Sequence, residues 1–238
     1  MLKPFIFLST FFIAGFFLAS EVSASFITIK KDGDIILNVL SKQSFVDQTS
    51  FEIKKIIQDT SNSGSLVGLE KKDDGFKLTV LSQGELKELN VNDSKSLVEV
   101  EERPEVQRIV VGVRGGKISL EQEDVVALTE YPLQIDAKRA IITLTTANGD
   151  EFLYFLPKEV VEFVLRTKLI NKIEEEKIEV GNFDGKLQYK ISGEKIFKIA
   201  NLFEYSVPIE IFVSGITGEI TSVDSPSWFK ILRFLFLS

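Results

Sequence analysis

Residues 140–169 read AIITLTTANGDEFLYFLPKEVVEFVLRTKL, and the division of this stretch decides the fold. The runs 140–146 and 151–156 flank Asn148-Gly149-Asp150, a turn in which glycine accepts positive φ without strain. Pro157 then suits a first helical turn, where its missing N–H removes no hydrogen bond. Val160, Val161, Val164, Leu165 and Leu169 recur at three- and four-residue spacing, with Lys158, Glu162, Arg166 and Lys168 mostly on the other face. The spacing predicts a helix over 157–169, the longest of the mature chain. Its Val160, Val164 and Leu165 side is expected to pack on a sheet made by residues 177–223.

The hairpin device recurs on both sides of this stretch. Asp32-Gly33, Asp73-Asp74-Gly75 and Asp184-Gly185 each separate two apolar runs, and Thr217-Gly218 is a softer case. No fixed repeat period is present, which excludes a solenoid. Residues 50–58, where Ile53, Ile56 and Ile57 share a helical face, read equally as a helix or a strand. The polar runs 59–65 and 90–96 read as loops, and the charge run 99–103 before Pro104 marks an element boundary. The predicted class is α+β: predominantly antiparallel β, with one main helix (157–169) packed on a C-terminal sheet. The sections are 1–24, a signal peptide; 25–95, β-rich; 96–156, β-rich; 157–224, α+β; and 225–238, an apolar tail.

The first two dozen residues have the form of an export signal. Lys3 supplies the positive end, residues 5–19 (FIFLSTFFIAGFFLA) the apolar run, and Val22-Ser23-Ala24 the small-residue cleavage site. The expected mature N-terminus is Ser25, and the expected location is extracytoplasmic. The alternative is an uncleaved anchor, although the apolar run is shorter than the roughly 20 residues that span a bilayer.

Among 238 residues there is no Cys and no His. That excludes disulfides, a lipid-bearing Cys, Cys or His metal sites, haem, Ser-His-Asp triads and Cys-His dyads. Lys and Arg number 28 against 35 Asp and Glu, a net charge of −7 that argues against a nucleic-acid partner. Acidic residues are the only abundant catalytic material. Glu121, Glu123, Asp124 and Glu174-Glu175-Glu176 lack the fixed spacing of Ca²⁺ loops and read as solvated charge. Arg114-Gly115-Gly116-Lys117 fits no phosphate loop and reads as a tight turn. No catalytic, cofactor or metal residue is assigned.

Residues 226–238 (PSWFKILRFLFLS) form the odd feature of the chain. The segment is too short to span a bilayer. Either it lies in a membrane interface, aromatics in lipid and cations at headgroups, or it covers exposed core as a terminal element. Trp228, Phe229, Lys230, Arg233 and Phe234 are the candidate membrane or partner contacts.

Residues 157–224 run helix, hairpin, hairpin. The helix is followed by a strand, the Asp184-Gly185 turn and the strand Leu187-Gln188-Tyr189-Lys190-Ile191. The segment closes on Val213-Ser214-Gly215-Ile216-Thr217-Gly218-Glu219-Ile220. This pattern resembles the PepSY domain of peptidase propeptides and cell-envelope proteins. From about Pro132 onward the chain is also similar to a group of uncharacterised exported bacterial proteins with a Trp-containing apolar tail. The insert 196–206 (IFKIANLFEYS) departs from the short PepSY link. The resemblance implies a non-catalytic envelope protein that binds or modulates another component, such as a peptidase. The rivals are a purely structural protein held at the membrane surface by its tail, and an acid-catalysed hydrolase.

Overall fold

A computed structural model describes residues 25–38, 52–55, 64–104, 107–199 and 203–228. In chain order the strands are β1 (Ile27–Ile29), β2 (Ile35–Leu37), β3 (Glu52–Lys55), β4 (Leu66–Lys72), β5 (Gly75–Ser82) and β6 (Glu85–Val91). They continue as β7 (Val98–Val100), β8 (Ile109–Arg114), β9 (Lys117–Gln122), β10 (Val125–Thr129), β11 (Leu133–Asp136), β12 (Ile141–Thr146) and β13 (Gly149–Leu153). The helix α1 (Pro157–Arg166) precedes β14 (Lys172–Phe183), β15 (Lys186–Ile199), β16 (Phe203–Ser214) and β17 (Ile220–Asp224).

These strands make two sheets. The larger has ten strands in the order β17-β16-β15-β14-β10-β9-β8-β7-β1-β2, and the smaller has seven in the order β13-β12-β11-β4-β5-β6-β3. Each of the five turns singled out in the sequence joins two antiparallel neighbours. At the 184–185 turn both Asp184 (φ 51°) and Gly185 (φ 76°) are left-handed, the conformation a two-residue hairpin turn requires. Two pairings are parallel, β1 with β7 and β10 with β14, and these join the meanders into one large sheet.

Strand alternation gives each sheet one apolar face. Across the larger sheet the row Ile29, Val100, Ile109 continues beside Ile27, Val98, Val111, Leu120 and Ala127. Beyond β10 the same side carries Ile178, Ile191, Ile211 and Val180, Tyr189, Val213. The smaller sheet presents Leu78, Leu69, Leu133, Leu144 and Val80, Val67, Ile135, Ile142. All are buried, and residues of both sheets belong to one hydrophobic core. Arg103 fastens the layers at one end: it donates to Lys30 O at 2.7 Å on the larger sheet's first hairpin and to Ala137 O at 2.7 Å and Lys138 O at 2.8 Å after β11.

The α+β expectation is therefore corrected: the protein is a two-sheet β structure with a short helix. The helix ends at Arg166 rather than at residue 169, because Thr167 caps it, its hydroxyl donating to Val164 O at 2.6 Å, and Lys168 turns left-handed at φ 57°. Pro157 occupies the first turn, and the Leu156 N–H donates to the Glu159 carboxylate at 2.9 Å. Val160, Val161 and Val164 are buried, but Leu165 is 39% exposed. The helix packs on β9 and β10, not on the sheet of 177–223. The Lys158 N–H donates to the Gln122 side-chain oxygen at 3.1 Å, which seats the first turn over the end of β9. So narrow a seat holds the valine stripe and leaves Leu165, one step further around the helix, in solvent.

Candidate interaction surface

The longest strand pair runs beyond its neighbours. β15 and β16 stay in register from Gln188↔Ser214 to Ile199↔Phe203. On one side β14 accompanies β15 only to Lys172↔Glu194, and on the other β17 accompanies β16 only from Glu210↔Asp224. Among the described residues, 195–199 and 203–207 are thus a two-stranded arm, about 17 Å long at roughly 3.4 Å per residue.

The arm's two faces follow from strand parity. Gly193, Lys195 and Phe197 continue the side of β15 that carries Ile191 in the core, and Phe197 stands opposite Tyr205. Phe197 is half-buried against the core edge, while Tyr205 is 47% exposed. Glu194, Ile196, Ser206 and Pro208 take the other side. A two-stranded ribbon is marginal in water by itself, so an apolar face on one calls for cover. Trp228 supplies part of it: its ring meets Tyr205 edge-on, 5.7 Å between centroids and 66° between planes. Trp228 itself remains 39% exposed.

The base of the arm is packed by the segment after the helix. A Cβ at Gly193 would lie 2.6 Å from Ile170 Cδ1 and 2.6 Å from Lys172 O, so only glycine lets this segment cross the strand so closely. The Asn171 N–H donates to Glu194 O at 2.8 Å, and its side-chain oxygen accepts from the Ile196 N–H at 2.9 Å. Lys195 Nζ donates to Lys168 O at 2.5 Å and lies 5.9 Å from the centre of the Phe197 ring.

Of the candidate contacts named from the sequence, Trp228 lies on this surface. Phe229, Lys230, Arg233 and Phe234 lie outside the described residues, as does the whole signal segment 1–24. Tyr205 and Phe197 were not singled out as contacts, although the insert 196–206 that carries them was.

Several of the acidic residues are held in separate ion pairs. Glu121 meets Arg114, and Glu123 meets Lys158 at 2.5 Å. Glu179 meets Lys117 at 2.7 Å, and this hydrogen-bonded carboxylate is the main cause that raises the Lys117 pKa. Among the described residues no group of three or more acidic side chains is placed to hold a metal ion. A shallow groove of about 440 Å³ lies between residues 93–95 and the 114–117 turn. Two of the cations along it, Arg114 and Lys117, are those already engaged by Glu121 and Glu179. A second exposed aromatic pair, Phe152 and Tyr154, sits at 6.1 Å at the end of β13 on the smaller sheet. No helix of the described residues is long and apolar enough to cross a membrane.

No family model, curated protein or solved structure matches this chain.

Proposed function

We propose that this is an exported, non-catalytic cell-envelope protein that binds another envelope component through the β15–β16 arm and Trp228. The observation that carries the proposal is the aromatic face of the arm. Phe197, Tyr205 and Trp228 gather on a ribbon that the larger sheet does not accompany, and two of the three are well exposed. An apolar cluster presented this way gains free energy by being covered, at about 25 cal/mol per Å² removed from water. The ion-paired carboxylates favour a structural use of the acidic residues over hydrolysis.

The PepSY resemblance suggests a peptidase as the component. The tail suggests the membrane surface, and the contact between Trp228, where the tail begins, and Tyr205 on the arm favours a single combined surface for both elements. Export through the 1–24 segment places this surface outside the cytoplasm in either case. The test is fractionation of cells carrying the wild type or the double variant Tyr205→Ser, Trp228→Ser. The proposal expects the wild type to be retained on washed envelope and the variant to be released with its melting temperature little changed. Equal retention of both would refute it.

A further inference from the structure

We propose that removal of the export signal locks the fold: the α-ammonium group that the cut creates at Ser25 pairs with the Glu99 carboxylate, so the mature chain is more stable than its precursor. The lock rests on export through the 1–24 segment with cleavage after Ala24. It makes no use of the arm.

Two independent observations meet at Ser25. In the sequence it is the residue that follows Val22-Ser23-Ala24. In the structure it is buried, and its hydroxyl donates to Glu99 Oε2 at 2.8 Å and lies 2.7 Å from the Ser96 hydroxyl. The backbone just beyond it is held from both sides. Phe26 O accepts from the Asn38 N–H at 2.8 Å, and the Ile27 N–H donates to Leu97 O at 2.8 Å. Phe26 and Ile27 are themselves buried. The new terminus is thus fixed by β1, which is seated between β2 and β7 in the larger sheet.

Hydrolysis of the Ala24–Ser25 peptide bond by water leaves a carboxylate on Ala24 and an amine on Ser25, which is protonated at neutral pH. A neutral amide with one N–H becomes a cation with three. In any rotamer a serine nitrogen lies within about 3.7 Å of its own Oγ, so the Ser25 nitrogen is no more than about 6.5 Å from Glu99 Oε2. A unit charge at that range favours the ionised carboxylate. Arg108 holds the other oxygen, Oε1, at 2.7 Å, which leaves Oε2 turned to Ser25. The Arg108 side chain is largely exposed, so water weakens its hold on Glu99. Lys30 acts on Glu99 from further along β1 and is itself paired with Glu101, while Glu121 acts on Arg108. A buried ammonium needs partners. Glu99 and the Ser25 and Ser96 hydroxyl oxygens supply them. The precursor lacks this pair, and so gains the added stability only once the signal is gone.

The experiment is chemical denaturation of three forms: the chain beginning at Ser25, the same chain acetylated on its α-amino group, and a chain that keeps Val22-Ser23-Ala24. The free Ser25 chain should have the largest folding equilibrium constant near pH 7, by about two- to fivefold, the range of a partly screened ion pair. A free α-amino group ordinarily titrates near 8, and a partner carboxylate raises that value in the folded state. The advantage should therefore be present below about pH 8 and be lost as pH rises through the folded value. Glu99→Gln should abolish the difference among the three forms. Equal stability of the three forms, or an advantage that survives Glu99→Gln or high pH unchanged, would overturn the lock. Intact mass of the exported protein tests the reading beneath it. A mass that begins elsewhere than Ser25 would overturn cleavage and lock together, whereas a Ser25 mass with equal stabilities would overturn the lock alone.

Discussion

The Trp228 ring stands edge-on to Tyr205, 5.7 Å between centroids, and so ties the start of the apolar tail to a β-ribbon more than twenty residues earlier. Tyr205 lies opposite Phe197 in the ribbon, so one aromatic face is drawn from two strands and the chain beyond β17. Edge-to-face pairs contribute about 0.5–1.5 kcal/mol beyond simple burial. A double-mutant cycle of Tyr205→Ala and Trp228→Ala should return a coupling energy in that range. Trp228 is the only Trp of the chain, so the intrinsic Trp fluorescence comes from this ring. Tyr205→Ala should move its emission to the red. An additive cycle with unchanged emission would show that the pair does not form in solution.

The helix offers a sharp contrast between adjacent residues. Val164 is fully buried in the core and Leu165 is 39% exposed. Removing two buried methyl groups should make Val164→Ala less stable by about 1.5–3 kcal/mol. Leu165→Ala, although it removes more atoms, should cost less than about 1 kcal/mol. Chemical denaturation measures both. The reverse order would restore the Leu165 face as the packing face.

Glu99 gives the fold a dependence on acid. The Arg108 guanidinium, donating at 2.7 Å, is the main cause that holds this carboxyl below its ordinary value near 4.5; partial burial opposes it and the Ser25 hydroxyl adds to it. A carboxyl whose pKa is lower in the folded state stabilises the fold above its unfolded pKa. That contribution disappears as pH falls through the folded value. Glu99→Gln should therefore be less stable than wild type at neutral pH, and the difference should shrink below about pH 4.5. The group is largely solvent-screened, so the difference should be small. A gap that stays constant with pH would contradict the assignment.

Signal cleavage predicts a mature chain that starts at Ser25, and intact mass reads this directly. Ser25 is buried, its hydroxyl 2.7 Å from that of Ser96 and 2.8 Å from the Glu99 carboxylate that it donates to. A species that keeps Met1 in the membrane fraction would make residues 1–24 an anchor.

Local chemistry was legible in the sequence, and long-range assembly was not. Asp184-Gly185 and Asn148-Gly149 declared their hairpins because turn geometry depends on two or three adjacent residues. Pro157 and the valine stripe declared the helix for the same reason. The parallel pairing of Leu128 with Glu179 and of Thr28 with Glu99 left no local trace, since an alternating strand does not specify which neighbour it accepts. Without those pairings the helix was placed against the strands that follow it rather than against β9 and β10. The arm was visible only as the insert 196–206. That it outruns its neighbours depends on where β14 and β17 stop pairing, which is a property of the sheet. The packing at the base of the arm was hidden because Lys195 and Lys168 are 27 residues apart in sequence and meet only where Ile170 crosses Gly193.

The claim that the arm is the contact surface is tested most directly by site-specific photo-crosslinking in living cells, with the reactive side chain placed at Tyr205 or, as a control of similar exposure, at Phe152 on the smaller sheet. The account predicts adducts to an envelope component from position 205 and few or none from position 152. Equal crosslinking from both positions, or crosslinking from Phe152 alone, would contradict it.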